Sequence, residues 1–199
     1  MRTRKLFFTV IFAALFWVGG LPAVAQSAMS FFNSGVHKYK DGDLKGAIED
    51  FTKAIEINPE YWKAYSSRGV VKRDDHDLAG AIRDYTRAIE INPKAAAVYS
   101  NRGVALRDKG DLEGALADYA TALKLDPEDS YTYNNRGVIR MDQNELNAAL
   151  DDFSRAIELS PKYAEAYFNR SVCKRKKGDL EGARTDRAKA VALDPRLNK

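Results

Sequence analysis

The sequence predicts an all-α solenoid of stacked helix pairs, and three periodic features lead to this prediction. Five prolines recur every 34 residues without an insertion: Pro59, Pro93, Pro127, Pro161 and Pro195. Each interval carries small residues at constant positions, and the apolar residues of its second half follow the three-and-four spacing of an amphipathic helix. A constant period of this length indicates supersecondary units that bury a core only by stacking on one another.

The chain divides into five repeats, residues 28–61, 62–95, 96–129, 130–163 and 164–197, whose positions we number 1 to 34. Position 4 is aromatic, position 8 is Gly or Ser, and positions 20 and 27 are always Ala. Position 24 is Phe or Tyr in four repeats and Arg187 in the fifth. We expect the small residues at positions 8 and 20 to let two helices approach closely.

Local signals predict two antiparallel helices, A and B, in each repeat. Four of the prolines follow a residue of N-cap type: Asn58, Asn92, Asp126 and Ser160. Because proline favours the first helical position, each of these residues with its proline predicts the start of a helix A. Helix A is expected to end near residues that accept a left-handed conformation: Gly42, Gly110, Asn144 and Gly178. The acidic residue that follows each of these turns is expected to cap helix B.

These positions resemble the tetratricopeptide (TPR) repeat, which has an aromatic, a small residue, Ala-x3-aromatic and Pro in the same slots. The resemblance covers residues 28–197 and implies a right-handed superhelical solenoid of five helix-turn-helix repeats. The sequence departs from the family at position 7, where Arg68, Arg102, Arg136 and Arg170 replace Leu. We interpret these arginines as long stems that cover apolar surface while their charges reach water.

Residues 1–25 have the features of a secretory signal peptide. A basic start is followed by a 16-residue segment, Leu6 to Leu21, in which Thr9 is the only polar residue, and then by an Ala-x-Ala site that predicts cleavage after Ala25. The alternative is an uncleaved anchor, but a membrane span needs about 20 apolar residues. We therefore expect an exported bacterial protein, periplasmic or secreted, whose TPR domain spans residues 26–199.

Composition argues against several classes of partner. The whole chain has 32 basic and 28 acidic residues, and the leader holds three of the basic residues and none of the acidic ones. The mature chain is therefore nearly neutral. We therefore expect no nucleic-acid binding, no small-molecule substrate, and membrane association only through a partner complex. No nucleophile motif, phosphate loop or metal-ligand spacing occurs, so the sequence predicts no catalytic residue, metal or cofactor.

Cysteine and histidine usage agrees with a non-enzymatic protein. The single cysteine, Cys173, lies at an apolar position and is predicted to be a buried thiol, with an intermolecular disulfide as the alternative. His76 occupies a turn position that holds Gly or Asn in other repeats. In the last repeat, Arg184 and Arg187 replace apolar residues of the stripe that would receive a next helix A, and we expect this exchange to close the array.

The TPR resemblance implies that helix A positions 2, 5, 6, 9, 12 and 13 line a concave peptide-binding groove. The candidate residues are Asn101, Asn135 and Asn169; Val104 and Val138; Arg73, Arg107 and Arg175; and Tyr131, Met141 and Phe168. Asn can donate to and accept from a peptide backbone, and Arg can bind carboxylates. Alternatively, the asparagines are a general family feature, and Arg73–Asp74 and Arg107–Asp108 neutralise each other on a solvated face.

The sequence therefore favours a non-enzymatic scaffold or adaptor that binds a protein or peptide segment in the bacterial cell envelope. Two alternatives remain open. One is a structural protein that self-assembles into homo-oligomers through its convex face or repeat ends. The other is an accessory factor of an enzyme, which would need a bound metal or a reactive centre.

Overall fold

The structure, a computed structural model, describes residues 23–198, with side chains from residue 27 onward. The predicted signal peptide therefore lies almost entirely outside the described residues. The described part of the chain folds into ten α-helices and a short 3₁₀ helix. These are α1 (Ala23–Lys40), α2 (Leu44–Ile57), α3 (Trp62–Asp74), α4 (Leu78–Ile91), α5 (Ala96–Lys109), α6 (Leu112–Leu125), α7 (Ser130–Asp142), α8 (Leu146–Leu159), α9 (Ala164–Lys177), α10 (Leu180–Leu193) and the 3₁₀ helix Pro195–Leu197.

The helices pack as five consecutive pairs, and each pair packs on the next. Every odd-numbered helix contacts the even-numbered helix that follows it, and every even-numbered helix contacts the next odd-numbered one. Successive odd-numbered helices also contact each other, α1 with α3, α3 with α5 and α7 with α9, so these helices line the inner side of the array. We call this side the concave face. The arrangement confirms the predicted all-α solenoid of helix pairs.

The predicted start of helix A at each proline is wrong. Asn58 ends α2 in an extended conformation (φ −132°, ψ 91°), and α3 begins only at Trp62. The Asn58 side-chain oxygen accepts a hydrogen bond from the Glu60 backbone N–H at 3.2 Å, which forms a turn. The residue before a proline avoids helical geometry, so the proline belongs to the connection. The residues before the prolines after α4, α6 and α8 have a similar backbone conformation (φ −130° to −135°, ψ 84° to 94°), and Asn92 and Asp126 accept the corresponding backbone hydrogen bond at 3.2 and 3.0 Å.

The turn inside each pair follows the prediction. Left-handed residues end the odd-numbered helices at Gly42, Gly110, Asn144 and Gly178, with φ between 63° and 91°, and His76 adopts the same conformation at φ 64°. Aspartates then cap α2, α4, α6 and α10 by accepting a hydrogen bond from the backbone N–H of a glycine three residues later. Glu145 makes no such bond at the start of α8.

The aromatic residue at position 24 packs directly against the small residue at position 8. A Cβ atom added at Gly69 would lie 2.8 Å from the Tyr85 ring, and one added at Gly103 would lie 2.6 Å from the Tyr119 ring. Such contacts are too close for real side chains, so glycine is required where the two helices meet. This confirms that small residues allow the helices of a pair to approach.

A row of ion pairs runs through the interior of the array, between the helices of each pair. The four position-7 arginines donate hydrogen bonds to aspartates of the following helix that are at most 6% exposed, at 2.7–3.0 Å. We call these pairs, Arg68–Asp84, Arg102–Asp118, Arg136–Asp152 and Arg170–Asp186, the charge ladder. The arginines were predicted to send their charges to water. That prediction is wrong, because position 23 of the second helix supplies a buried carboxylate.

Neighbouring groups complete the charge ladder. Lys72, Arg140 and Lys174 add a second cation to three of the aspartates, at 2.7–2.9 Å. Repeat three has Leu106 at this position, so Asp118 is paired with Arg102 alone among the described residues. Each arginine also lies over the position-4 tyrosine of its own helix, 5.5–5.9 Å from the ring centroid. These contacts fix the inward face of every odd-numbered helix from α3 onward.

Candidate functional site

A cavity of about 850 Å³ opens on the concave face between α7 and α9. Tyr131, Asn135 and Val138 reach it from α7, and Phe168 and Asn169 reach it from α9. The chain after α8 and the chain around the 3₁₀ helix close two of its sides. We call this space the concave cavity. Its volume lies within the range of about 300–1,000 Å³ that is usual for ligand pockets.

A chain of hydrogen bonds holds the polar floor of the concave cavity. The Asn169 amide donates to the Asn134 side-chain oxygen at 2.9 Å, and the Asn134 amide donates to the Tyr163 hydroxyl oxygen at 3.3 Å. Asn134 is buried, and the Tyr131 ring packs against the Tyr163 ring at 4.8 Å between centroids. Among the described residues, this network uses neither the Asn169 side-chain oxygen nor the Tyr163 hydroxyl proton, so both can bind a peptide backbone.

The Tyr163 hydroxyl remains protonated near neutral pH. Burial, and to a smaller degree the nearby Glu165 carboxylate, raise the pKa of Tyr163 well above its usual range. A protonated phenol can both donate and accept, so the cavity floor offers donors and acceptors together. Such a surface suits the backbone of an extended peptide, which alternates N–H and C=O groups along its edge.

The rim of the concave cavity carries charges of both signs. Arg107, Lys162 and Arg196 provide the cations, and Glu165 and Asp194 provide the anions. Arg196 holds Asp194 through contacts at 2.9–3.2 Å, and Arg107 lies 3.0 Å from Asp108. The rim is therefore nearly balanced in charge, and the cavity has no strong preference for a highly charged ligand.

The structure brings six of the eleven predicted groove residues together in this cavity: Arg107, Tyr131, Asn135, Val138, Phe168 and Asn169. Tyr131 is the most exposed of the large apolar side chains among the described residues, at 64%. An exposed tyrosine beside a half-buried phenylalanine is a common anchor for a partner's side chain. The predicted residues thus form a continuous surface only in the C-terminal half of the concave face.

The N-terminal half of the concave face differs. Arg73 lies 3.0 Å from Asp74, and Asp74 also accepts a hydrogen bond from the Tyr39 hydroxyl. Arg107 makes the same contact with the adjacent Asp108 one repeat later, at 3.0 Å. Of the two interpretations of these arginines, the structure favours neutralisation by the adjacent aspartate.

Four other predicted groove residues have different surroundings. Met141 is only 8% exposed and packs with Ala149, Phe153 and Cys173, so its prediction as a groove residue is wrong and it belongs to the core. Val104 packs against the core cluster of Ala115 and Tyr119. Arg175 lies away from the concave cavity, at the C-terminal end of the array. Asn101 is half-buried on α5.

The sequence analysis missed several residues that the cavity needs. Asn134 stands at position 5, where two of the other repeats carry Phe and two carry Ser, and Tyr163 stands at position 34. Asn134 differs from the residues at position 5 of every other repeat, and this difference could have identified it as a site residue. Lys162 comes from the turn after α8, and Asp194 and Arg196 come from the chain around the 3₁₀ helix, all outside the helix pairs on which the groove prediction was based.

Other chemistry-bearing residues are part of the framework. Cys173 is fully buried, as predicted, and its thiol lies 3.4 Å from the Leu146 carbonyl oxygen. Within residues 23–198, no cluster of three or more His, Cys, Asp or Glu side chains is arranged to hold a metal ion. In the same part of the chain, none of the helices combines the length and the apolar character that a membrane span requires.

Comparison with known repeat families identifies the fold. Family profiles described as TPR repeat match residues 73–107 and 103–143, and profiles described as tetratricopeptide repeat match residues 30–61, 130–163 and 153–185. The chain belongs to the TPR family. Arrays of this repeat are generally non-enzymatic scaffolds for protein interactions. Among curated proteins, the search by sequence returned no relative.

Solved TPR structures share this architecture at low sequence identity. A PilF structure from Pseudomonas aeruginosa is 20% identical over 87% of this chain and 84% of its own, with a TM-score of 0.78. MamA from Desulfovibrio magneticus RS-1 is 15% identical over 89% of this chain and 100% of its own, with a TM-score of 0.76. YrrB, described as a TPR protein with an unusual peptide-binding site, is 22% identical over 84% of this chain and 87% of its own, with a TM-score of 0.67.

Proposed function

We propose that this TPR protein is a non-enzymatic adaptor that binds an extended segment of a partner protein in the concave cavity between α7 and α9. One observation carries the proposal: six residues at groove positions meet around a single space of about 850 Å³. The cavity combines an apolar wall, an exposed tyrosine and a pre-formed amide network. A pre-formed site lowers the entropy lost when a partner binds.

The chemistry of the lining defines the expected ligand. Val138, Phe168 and Tyr131 favour an apolar or aromatic side chain, while the amides of Asn135 and Asn169 favour the peptide backbone on either side of it. Because the rim is nearly balanced in charge, we expect the bound segment to be nearly neutral. The peptide-binding site named for YrrB supports the general use of this fold for peptides.

We further propose that the protein acts in the bacterial cell envelope, in the periplasm where an outer membrane exists. The support is the leader of residues 1–25 with its Ala-x-Ala site. Expression from the full-length gene, followed by osmotic shock and mass spectrometry, tests this location. The expected result is a soluble shock-released protein whose N-terminus is Gln26. Recovery of the intact leader in the cytoplasmic fraction contradicts it.

Affinity capture from an envelope extract of the source organism tests the adaptor function. The baits are the wild type, a cavity variant with Tyr131→Ala and Asn135→Ala, and a control variant with Leu125→Ala. Leu125 is 40% exposed on α6, outside the cavity lining, so its truncation matches the loss of an exposed apolar side chain. Circular dichroism first establishes that all three baits have the same helix content and melting temperature.

The expected result is a protein captured by the wild type and the control but lost with the cavity variant. A segment of that protein should bind the cavity variant at least about tenfold more weakly, which is the usual effect of removing an aromatic anchor. Equal capture by all three baits places binding elsewhere and rejects the proposal. Capture of the bait alone, with a mass that rises with concentration, makes self-assembly the better account.

A further inference from the structure

The hydrogen bonds in the floor of the concave cavity run in one direction. The Asn169 amide group donates to the Asn134 side-chain oxygen at 2.9 Å, and the Asn134 amide group donates in turn to the Tyr163 hydroxyl oxygen at 3.3 Å. We call these three side chains the floor triad. Each of them can donate as well as accept, so the order of donors is a property of this site and not of the residue types alone.

The two ends of the floor triad offer different groups to the cavity. The Asn169 end has a side-chain oxygen that accepts, and the Tyr163 end has a hydroxyl that donates. Within the described part of the chain, neither group takes part in another hydrogen bond, and both residues line the cavity. Burial raises the pKa of Tyr163 above its usual range, so the hydroxyl keeps its proton near neutral pH.

Asn134 is the member of the floor triad that controls this order. It stands in the middle and is 5% exposed, whereas its two partners are half-buried. The equivalent place between α1 and α3 has Phe32 at position 5, and its ring packs against the Tyr61 ring at 5.2 Å between centroids. A tyrosine at this position is therefore held by ring packing when position 5 is Phe, and by an amide when it is Asn134.

An extended peptide matches the two ends of the floor triad in one direction only. In a β-strand, the N–H and the C=O of one residue point to the same edge, and the N–H comes first along the chain. A residue whose N–H binds Asn169 and whose C=O binds Tyr163 has its N-terminal side at Asn169. Tyr163 precedes α9 and Asn169 lies within it, so such a segment runs antiparallel to α9.

We propose that Asn134 is a positioning residue that fixes the direction of the bound segment, so that the partner's chain runs antiparallel to α9. The N–H and the C=O of one residue of that segment are held by Asn169 and Tyr163. This role rests on the proposed peptide binding in the concave cavity, and it adds the direction and the register of the ligand. Because the apolar wall lies beside the floor triad, the residue held there carries an apolar or aromatic side chain.

Paramagnetic labels test the direction. The probe is acetyl-Gly-Gly-Phe-Gly-Gly-amide, which has one aromatic side chain and no charge, and a nitroxide replaces the cap at one end or at the other. The protein is isotope-labelled and expressed from its full-length sequence. The N-terminal nitroxide should broaden the resonances of Val172 and Lys176 in the later turns of α9. The C-terminal nitroxide should broaden those of Lys162 and Glu165 near its start.

Ester analogues of the same peptide test the contacts. Phenyllactic acid in place of Phe removes the N–H that is expected to bind Asn169, and this ester should bind about three- to tenfold more weakly. The matched control is an ester at the glycine that follows Phe. The N–H of that glycine points to the opposite edge of an extended strand, so its removal should change the affinity by less than about twofold.

A double-mutant cycle tests the role of Asn134. An Asn134→Asp carboxylate accepts from both neighbours, so the Tyr163 hydroxyl donates to it and has no proton left for the peptide. Tyr163→Phe should weaken the unlabelled peptide about three- to tenfold in the wild type and have little effect in the Asn134→Asp background. The Asn134→Asp variant should keep the preference for the amide over the phenyllactic ester, because the Asn169 oxygen is unchanged.

Asn101→Asp provides the matched control for the added charge. Asn101 is half-buried on α5 and lies outside the cavity lining, so its variant should behave as the wild type in every measurement. Helix content and melting temperature by circular dichroism establish that each variant is folded.

Two outcomes overturn this role while peptide binding in the cavity stands. One is broadening by the two nitroxides in the reverse pattern, or equally by both. The other is a loss of affinity on Tyr163→Phe that is as large in the Asn134→Asp background as in the wild type. If none of the peptides shifts the resonances of the cavity residues at millimolar concentration, the proposed function and the role of Asn134 fail together.

Discussion

The two faces of the odd-numbered helices use the same residue types for different purposes. On α5, Arg102 faces inward and binds Asp118, whose side chain is 8% exposed. Five residues later on the same helix, Arg107 faces the concave side and binds Asp108, whose side chain is 37% exposed. The inward pairs are nearly the same from repeat to repeat, whereas the concave residues change between the N-terminal and C-terminal halves.

Solvent exposure explains this difference. Removing one partner of an inward pair leaves a charge in a place that water hardly reaches, so the pair constrains the fold. Removing one partner of a concave pair leaves a charge that water solvates, so the concave residues can vary without loss of stability. Tyr131, Asn135 and Asn169 of the cavity between α7 and α9 stand at concave positions of this kind.

The largest expected effect comes from removing a ladder aspartate that has two cations. Asp152→Ala removes the carboxylate shared by Arg136 and Arg140, at 2.7 and 2.9 Å, and should lower the free energy of unfolding by about 4 kcal/mol. Asp118→Ala leaves only Arg102 uncompensated and should cost about 2–3 kcal/mol. Urea denaturation followed by circular dichroism measures both values. Equal decreases in the free energy of unfolding would show that the second cation adds nothing to the cost of removing the aspartate.

The two arginines of α5 provide the most direct test of the comparison. Arg102→Ala should lower the free energy of unfolding by about 3 kcal/mol, because Asp118 remains buried and loses its bidentate partner. Arg107→Ala should change it by less than about 0.5 kcal/mol. The same denaturation experiment measures both variants. A large loss for Arg107→Ala would contradict the distinction between the two faces.

Acid should weaken the inward face. Although burial opposes it, hydrogen bonds from Arg170 and Lys174 hold the pKa of Asp186 below its usual range, and Lys38 and Ser34 do the same for Asp50. The unfolded chain therefore binds more protons than the folded one near pH 4. The stabilisation that these two carboxylates contribute is present above about pH 4, and it is lost as the pH falls through their pKa values in the folded chain.

Urea denaturation at pH 6 and pH 3 measures this acid effect. The free energy of unfolding should be lower at pH 3, and the decrease should be smaller in the Asp186→Asn variant, which is itself less stable at pH 6. An identical decrease in wild type and variant would show that Asp186 titrates alike in the folded and unfolded chains.

A modest effect in the opposite direction, a gain in stability, is expected from a buried tyrosine. The hydroxyl groups of Tyr85 and Tyr119 are buried without a hydrogen-bond partner among the described residues. Tyr119→Phe should raise the free energy of unfolding by about 1 kcal/mol, since repeats one and four already carry Phe51 and Phe153 at this position. Thermal unfolding at pH 7 measures the gain. A loss of stability would show that the Tyr119 hydroxyl has a partner that compensates its burial.

The same variant should flatten the alkaline limb of the stability curve. Burial raises the pKa of Tyr119 to about 12, so the folded chain keeps a proton that the unfolded chain loses near pH 10. Stability therefore falls as the pH rises from about 10 towards 12. Tyr119→Phe removes this contribution, and denaturation at pH 7 and pH 11 compares the two chains.

Local signals correctly predicted the parts of the fold that depend on neighbours in sequence. The glycine ends of the odd-numbered helices and the aspartate caps that follow them needed only a few adjacent residues. The proline turns were predicted incorrectly, because Asn58 has two local uses, an N-cap and a turn, and the same residues support both. The choice between them depends on how the preceding helix ends.

The sequence by itself determined the number of repeats, the stacking of helix pairs and the close contact between small and aromatic residues. These follow from a period of 34 residues and from the sizes of side chains. Only the tertiary structure decided the partner of each ladder arginine, 16 residues away, the burial of Met141 and the concave cavity. The physical reason is that such contacts join side chains from different helices, and their distances depend on how each pair packs against the next.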